Sequence, residues 1–159
     1  MDKAALAPAL GKLVSGLYII SLKHKDKEAG FLASWVQQAG FEPPMISIAF
    51  NKERKAHFDL LTGGGKLVVN IMGKENGKTM SRFFKPAPET GSIFDELETF
   101  TGETGVPILK DSVGYLEAEY FTEMETGDHL IVLAKVLGGA LNSTEIEPSV
   151  HIRPDGFKY

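Results

Sequence analysis

The sequence predicts a mainly β domain, a closed or nearly closed β-barrel with peripheral helices. Short β-rich runs outnumber helical segments, and such a pattern is typical of barrels. The length of 159 residues fits a single domain, 1–159, and no linker, internal repeat or low-complexity tract divides it. A composition of 43% hydrophobic and 24% charged residues is that of a globular protein, so disorder is not expected.

Three segments have helical patterns. Asp2 to Leu13 is rich in Ala and Leu, with Asp2 as its predicted N-cap. Arg54 to Leu61 forms the second predicted helix, which Gly63-Gly64-Gly65 stops. Lys78 to Lys85 forms the third, and the i, i+3, i+4 spacing places three of its side chains on one face: Met80, Phe83 and Phe84.

Seven runs have strand character: Leu17–Leu22, Phe31–Val36, Met45–Phe50, Leu67–Met72, Gly114–Glu123, Leu130–Leu137 and Ser149–Tyr159. A charged turn, His24 to Gly30, joins the first two as a hairpin, and Pro43-Pro44 breaks the chain before the third. Pro86 to Pro107 is a long excursion with one helical turn around Phe94 to Leu97. We interpret it as a contact to a second subunit or a cover over a bound ligand, or equally as a surface loop.

Composition excludes several classes of function. The chain has no cysteine, which rules out disulfides, thiolate zinc sites, iron–sulfur clusters and a cysteine nucleophile. A net charge of −4 argues against nucleic-acid binding, which needs a basic surface. The N-terminus lacks a secretory pattern, and Leu13 to Leu22 is too short to span a bilayer, so we expect a cytoplasmic protein without membrane contact.

Several apparent motifs do not hold. Gly73 to Thr79 resembles a P-loop but has three residues between its glycines where four are needed, so we interpret it as a helix start. The four histidines have no metal-ligand spacing, and no metal site is predicted. Glu117 and Glu119 lie two apart on a predicted strand, and we expect them on a solvated face.

Three other segments can together hold a planar, anionic ligand. Ala33 to Pro44 joins a strand to a loop stiffened by two prolines, which can present backbone amides and carbonyls to a polar ring. Asn51 to Lys55 concentrates cations at the start of a predicted helix, a favourable place for phosphate. Gly127-Asp128-His129 lies between two strands, where a hairpin tip would project the histidine.

In this order, the segments resemble those of the flavin reductase family over nearly the whole chain. The similarity is greatest to the flavin reductase module at the C-terminus of photosynthetic diflavin (flavodiiron-type) proteins. It rests on the following stretches: Ala9–Ile19, Leu32–Ala39 with Phe41-x-Pro43-Pro44, Val69-Asn70-Ile71, Pro107-Ile108-Leu109, Tyr115-Leu116-Glu117, Gly127-Asp128-His129 and His151-x-Arg153-x-x-Gly156-x-x-Tyr159. The resemblance implies an FMN-binding split β-barrel of Greek-key type.

The resemblance also implies roles for individual residues. The isoalloxazine and ribityl chain would contact Ala33, Ser34, Trp35, Val36, Gln37, Gly40 and Phe41. The phosphate would be held by Asn51, Lys52 and Arg54. Asn70 would shape the pocket floor, and His129 would lie near the flavin and the nicotinamide in an orienting or electrostatic role. Gly40 stands where a serine or similar polar residue is usual, so the resemblance does not imply a side-chain hydrogen bond to the flavin there. Pro154-Asp155 and Phe157-Lys158 depart from a more basic, histidine-containing ending, which implies weaker or altered nicotinamide binding.

The implied activity is hydride transfer from NADH or NADPH to FMN, in a homodimer. Because the hydride passes from nicotinamide C4 to flavin N5, neither a protein nucleophile nor a metal is required. Two alternatives stay open: an FMN-binding relay that feeds a flavodiiron-type, oxygen-reducing partner, and a non-enzymatic flavin-binding domain.

Overall fold

The computed structural model describes residues 1–85, 88 and 90–158 of the chain. Its helices are α1 (Lys3–Gly11), α2 (Lys55–Gly64) and α3 (Gly77–Arg82), and a 3-10 turn (Lys52–Arg54) leads into α2. Its strands are β1 (Ser15–Gly16), β2 (Tyr18–His24), β3 (Lys27–Ala33), β4 (Val36–Phe41), β5 (Pro44–Asn51), β6 (Lys66–Ile71), β7 (Thr99–Thr101), β8 (Pro107–Leu109), β9 (Gly114–Glu125), β10 (His129–Leu141) and β11 (Val150–His151).

The main sheet has the architecture of a split barrel. In the described part of the chain it contains seven antiparallel strands in the order β3-β2-β6-β9-β10-β5-β4. The two edge strands, β3 and β4, follow one another in sequence and are joined only by Ser34 and Trp35. A link this short forces the edges together at one end, so the sheet must curl. The mainly β, barrel-like class predicted from the sequence is confirmed.

The interior of the curled sheet is the main core. Alternate residues of each strand point into it, and α2 covers the open side by burying Leu61 completely. The strand residues that fill the core are Ile20, Leu22, Phe31, Ala33, Val36, Ile46, Ile48, Phe50, Leu67, Val69, Ala118, Val132 and Ala134. Burial of each large apolar side chain favours folding by about 1.5–3 kcal/mol, which makes this cluster the main source of stability.

A second apolar layer covers the outside of β2. Ile19, on the opposite face of that strand from Ile20, packs under α3 and the segment after it. The partners in this layer are Met72, Met80, Phe83, Ile93, Phe94 and Leu109. Strands β2 and β6 are therefore buried on both faces, which explains why their sequences are almost continuously apolar.

Two predicted helix termini, the N-cap of α1 and the glycine stop after α2, are confirmed by their capping geometry. The Asp2 carboxylate accepts hydrogen bonds from the backbone N–H groups of Ala4 (2.9 Å) and Ala5 (3.4 Å). Helix α2 ends at Gly65, whose φ of 70° is a left-handed conformation that glycine adopts without strain. Among the described residues, no helix has the length and apolar character needed to cross a bilayer.

The turn predicted over His24 to Gly30 is too long. Strand β3 already begins at Lys27, because the hairpin continues through an ion pair between Lys23 and Glu28 at 3.1 Å. Gly30 lies inside the strand. A Cβ there would approach the ring of Phe83 to 2.7 Å, so the glycine permits close packing and does not end a turn.

The loop predicted between Val36 and Pro44 is also wrong. Residues 36–41 form edge strand β4, and Pro44 is the first residue of β5, a position that needs no ladder N–H. The chain turns at Glu42-Pro43, whose peptide bond is cis. Gln37 and Gln38 are exposed on the edge, so this strand lacks the apolar alternation by which strands are recognised.

The predicted helix over Lys78–Lys85 and strand over Ser149–Tyr159 both end early. Helix α3 stops at Arg82, so Phe84 leaves the apolar face and is 74% exposed. At the C-terminus only Val150 and His151 pair with β1, and the residues beyond them dock on α1.

Within the excursion, a turn at residues 93–96 stands where the helical turn was predicted, and a small hairpin, β7–β8, was not predicted. Pro86, Ala87, Glu89 and Tyr159 lie outside the described residues.

Glu117 is buried, contrary to the solvated face predicted for it, whereas Glu119 is exposed. Glu117 accepts hydrogen bonds from the Thr104 N–H (2.9 Å) and hydroxyl (2.6 Å). Burial alone would raise the pKa of this carboxyl, but the hydrogen bonds from Thr104 and from the Glu103 N–H outweigh it and lower the pKa. The carboxylate thereby fastens the excursion to β9.

We expect Glu117→Gln to cost about 1–3 kcal/mol of unfolding free energy at neutral pH, because buried donors lose a charged acceptor. The folded pKa is lowered, so the stabilisation is complete above about pH 4.3, the ordinary value, and is lost as the pH falls through the folded value. Urea unfolding at several pH values should show a smaller acid loss in the variant. Glu119→Gln is the control, and an equal effect there would refute a special role for Glu117.

Candidate functional site

A cavity of about 590 Å³ lies beside the short link between the two edge strands. The end of β3, the link itself, the end of β5 and the 3-10 turn form its walls. It is lined by Leu17, Phe31, Leu32, Ala33, Ser34, Trp35, Ala49, Asn51, Glu53, Arg54, Phe83, Phe84 and His151. Its size is within the range of small-molecule sites, and its walls are mainly apolar and aromatic with few charges, as is typical of them.

A larger groove of about 910 Å³ lies between α3 and residues 93–98. Cations and carboxylates alternate along it, and several are paired with each other, such as Arg82 with Glu96 and Lys110 with Glu98. It contains none of the residues predicted for the site. The smaller cavity is therefore the candidate site.

Five of the predicted contact residues line the cavity: Ala33, Ser34, Trp35, Asn51 and Arg54. The other predicted residues of the first segment do not. Val36 points into the barrel core, and Gln37 is exposed on the edge strand. Gly40 and Phe41 lie near the β4–β5 turn, and Phe41 is 86% exposed. The strand that replaces the predicted loop carries these residues away from the cavity.

The two predicted cations have different surroundings. Lys52 donates a hydrogen bond to the Thr126 carbonyl at 3.2 Å and lies 3.5 Å from a carboxylate oxygen of Glu125. It thus contacts the β9–β10 turn and does not line the cavity. Arg54 lines the cavity, with its guanidinium carbon 5.3 Å from the centre of the Phe31 ring.

Asn51 holds the start of the 3-10 turn, because its side-chain oxygen accepts the N–H of Glu53 at 2.9 Å. The turn lies at the cavity, which both Glu53 and Arg54 line. His57, one turn later in α2, packs against Phe31 with 5.4 Å between ring centres. Burial and, after it, the charge of Arg54 lower the pKa of His57, against a hydrogen bond at Gly30 that raises it.

Asn70 does not line the cavity. Its amide nitrogen donates to the Ile19 carbonyl (3.0 Å) and the Ser21 hydroxyl (2.9 Å), and its oxygen accepts the Leu109 N–H (2.8 Å). The residue is completely buried, so these bonds join β2, β6 and β8 under the sheet. The structure thus gives this side chain a role in supporting the fold.

His129 lies next to the cavity without lining it. It is the first residue of β10, where it pairs with Asn51 of β5, and its ring is 5.0 Å from that of Trp35. The side chain is buried, and Nδ1 is 2.8 Å from a carboxylate oxygen of Asp128. This hydrogen bond is the largest cause of the lowered pKa of Asp128. The imidazole is thereby oriented between a carboxylate and an indole.

Sequence reasoning missed most of the remaining wall residues, among them Phe31, Phe83, Phe84 and His151. It also missed that Arg153 lies over Trp35, with 5.0 Å between the guanidinium carbon and the ring centre. The histidine and arginine were noted only as part of the chain's ending. Phe83 and Phe84 had been assigned, with Met80, to the apolar face of a helix, and this pattern gave no sign of the cavity. In the part of the chain that the structure describes, no three His, Asp or Glu side chains are grouped to hold a metal ion.

Comparison with known sequences gives a consistent match. The flavin reductase like domain family matches residues 10–158. The chain is 38% identical over 157 residues to diflavin flavoprotein A 3 of Nostoc sp., covering 98% of this chain and 27% of that protein. It is 37% identical over 155 residues to diflavin flavoprotein A 1 of Synechocystis sp., covering 97% and 27%. The chain therefore spans about a quarter of the length of these relatives.

Comparison with solved structures gives the same fold. The flavin reductase HpaC in complex with NADP+ is 26% identical, with a TM-score of 0.78 over 91% of this chain and 89% of that chain. The NADH:FAD oxidoreductase SgcE6 of Streptomyces globisporus has a TM-score of 0.83 at 22% identity, over 95% of this chain and 89% of that chain.

Proposed function

Because the chain belongs to the flavin reductase like domain family, we propose that it is a cytoplasmic NAD(P)H-dependent flavin reductase that binds FMN. The observation that carries the proposal is the cavity itself: aromatic walls, one arginine and one glutamate lie beside a histidine oriented by a carboxylate. A flat aromatic ligand matches these walls in size, and Arg54 is the cation among them that can hold an anionic group.

When bound, a flavin supplies the redox chemistry by accepting a hydride from the nicotinamide, so the chain needs no nucleophile of its own. The task of the chain is to hold two rings together and exclude water. Phe31 and Trp35 offer aromatic surfaces, and both are fixed by neighbours: Phe31 by Phe50 at 4.9 Å between ring centres, Trp35 by His129. Such fixed walls reduce the cost of ordering a bound ring.

Arg54 is the proposed phosphate ligand. It lies at the cavity wall and is held there by Phe31, whereas Lys52 is engaged with the β9–β10 turn. A guanidinium matches phosphate with two parallel hydrogen bonds, which an ammonium cannot form. We retain Ala33, Ser34 and Asn51 as contact residues, since they line the same cavity.

His129 is the proposed orienting residue for the nicotinamide. Asp128 holds the ring through Nδ1, and this contact fixes the orientation of the imidazole. The imidazole lies beside the indole of Trp35, and His129 pairs with Asn51, the last residue of β5.

We expect Arg54→Gln to weaken FMN binding by about tenfold or more, because a charged hydrogen bond to phosphate is lost. Binding of riboflavin, which lacks the phosphate, should stay unchanged. Fluorescence titration with both flavins measures the two constants, and Lys52→Gln serves as the matched control. A larger effect from Lys52→Gln, or an equal loss with riboflavin, would contradict the assignment.

We expect His129→Ala to lower kcat/KM for NAD(P)H by about tenfold or more, because an oriented polar contact to the nicotinamide is lost. FMN affinity should change by less than about threefold. Stopped-flow reduction of flavin under anaerobic conditions measures the first quantity and titration the second. His24→Ala, in the β2–β3 hairpin, is the control. Unchanged reduction in His129→Ala would overturn this role.

The match to a quarter of the diflavin flavoproteins favours a second candidate function. In it the domain keeps FMN bound and passes electrons to a flavodiiron-type partner, with little reduction of free flavin. Anaerobic addition of NADH and of NADPH to the yellow protein, with and without added FMN, separates the two. Bleaching without reduction of added FMN supports the relay.

We also propose a homodimer, on the basis of an apolar outer face of the sheet. Met45, Ser47 and Ala49 of β5 point outward and pair with Lys135, Leu133 and Ile131 of β10. The apolar residues of this face remain half-exposed in the single chain, and Met124 beside them is 63% exposed. A face of this kind on a sheet is typical of subunit contacts.

We expect Leu133→Glu to convert the dimer into a monomer, because a charge would be buried at the centre of that face. Sedimentation velocity over a range of protein concentrations measures the assembly state. Leu13→Glu, an exposed apolar position at the end of α1, is the control and should leave the dimer intact. A wild-type monomer at all concentrations would refute the proposal.

A further inference from the structure

Arg153 is a buried cation next to the candidate site. The residue is only 5% exposed, and its guanidinium carbon lies 5.0 Å from the centre of the Trp35 ring. One guanidinium nitrogen, Nη1, also donates to the carbonyls of Gly156 (3.3 Å) and Lys158 (3.2 Å). We propose that Arg153 is a positioning residue: it fixes Trp35 as a wall of the cavity and ties the C-terminal segment, residues 153–158, to the site.

The burial of this charge shows why the contact matters. A buried cation is costly unless its surroundings compensate for the lost water. Among the described residues no carboxylate forms an ion pair with Arg153, so the carbonyls of its own segment and the indole face provide that compensation. The guanidinium and the indole therefore hold each other in place.

Trp35 depends on such side-chain contacts because of its place in the fold. It lies outside both edge strands, where its backbone carbonyl accepts the N–H of Ala49 at 3.0 Å. Its ring contacts both His129 and Arg153. Removal of the arginine takes away one of the contacts that hold the indole, so we expect both the cavity wall and the packing against His129 to change.

Helix α1 holds the C-terminal segment from the other side. The N–H of Arg153 donates to the Gly11 carbonyl at 3.0 Å, and the N–H of Gly156 donates to the Ala7 carbonyl at 2.8 Å. A Cβ on Gly156 would collide with Leu10, so only glycine permits this approach. The position of the guanidinium thus depends on how the segment is docked, which gives a second way to disturb it.

The experiment uses the fact that Trp35 is the only tryptophan of the chain, so its fluorescence reports one ring. The variants are Arg153→Gln, Arg153→Lys and, as the control, Arg82→Gln, whose arginine donates to the Ile93 carbonyl away from the site. Emission maximum and acrylamide quenching are measured in flavin-free and flavin-loaded protein. Thermal unfolding and kcat/KM for NAD(P)H are measured on the same samples.

We expect Arg153→Gln to shift emission to the red and to raise the quenching constant by about twofold, since a freed indole meets water. Its kcat/KM for NAD(P)H should fall by about tenfold, as the loss of a desolvated cation–π contact implies. Arg153→Lys should restore part of both, because it keeps the charge. Arg82→Gln should change neither.

The expected change in kcat/KM rests on the proposed function, and the expected change in Trp35 fluorescence does not. A changed Trp35 signal in a protein that oxidises no NAD(P)H, wild type included, refutes the reductase proposal and supports the positioning role. A lower unfolding temperature with an unchanged Trp35 signal overturns the positioning role. If Arg153→Gln does not fold, Gly156→Ala replaces it: increased quenching supports the proposal, and wild-type quenching overturns it.

Discussion

The two-residue link between the edge strands is the constraint on which the rest of the structure depends. Ser34 and Trp35 must carry the chain from one edge of a seven-stranded sheet to the other, so the described strands have to curl until the edges meet. The link itself cannot join either strand's hydrogen-bond ladder fully. Side-chain contacts therefore hold the link in place, and the cavity lies beside it.

The predictable part of the fold is the part that local pattern determines. Caps, the Gly65 stop and the apolar strands are set by residues close together in sequence. Edge strand β4 was misread because its exposed glutamines carry no apolar alternation, and the C-terminal segment because its partner, α1, is more than 130 residues away. Glu117 looked solvated because strand alternation does not show that Thr104, in the excursion 13 positions earlier, covers it.

The residues of the candidate site also divide into those that the sequence could predict and those that it could not. Five of its residues could be predicted, because a family pattern keeps their two segments together: Ala33, Ser34, Trp35, Asn51 and Arg54. Phe84 and His151 reach the cavity only through tertiary packing. Asn70 is instructive: a polar residue in an apolar strand can indicate either a ligand contact or a buried hydrogen-bond hub. Only the three bonds to Ile19, Ser21 and Leu109 decide for the hub.

The chain has three arginines against fourteen lysines, and the positions of two of the arginines follow from the chemistry of the guanidinium. Arg54 lies over Phe31 and Arg153 over Trp35, both rings that line the cavity. A guanidinium is flat and weakly hydrated, so it can pack on a ring and still donate hydrogen bonds, whereas an ammonium keeps its water. Lys52, close in sequence to Arg54, instead reaches a backbone carbonyl and a carboxylate at the surface. The net charge of −4 is therefore no obstacle to an anionic ligand, because the charge that faces the cavity is set by which cations can be held against its aromatic walls.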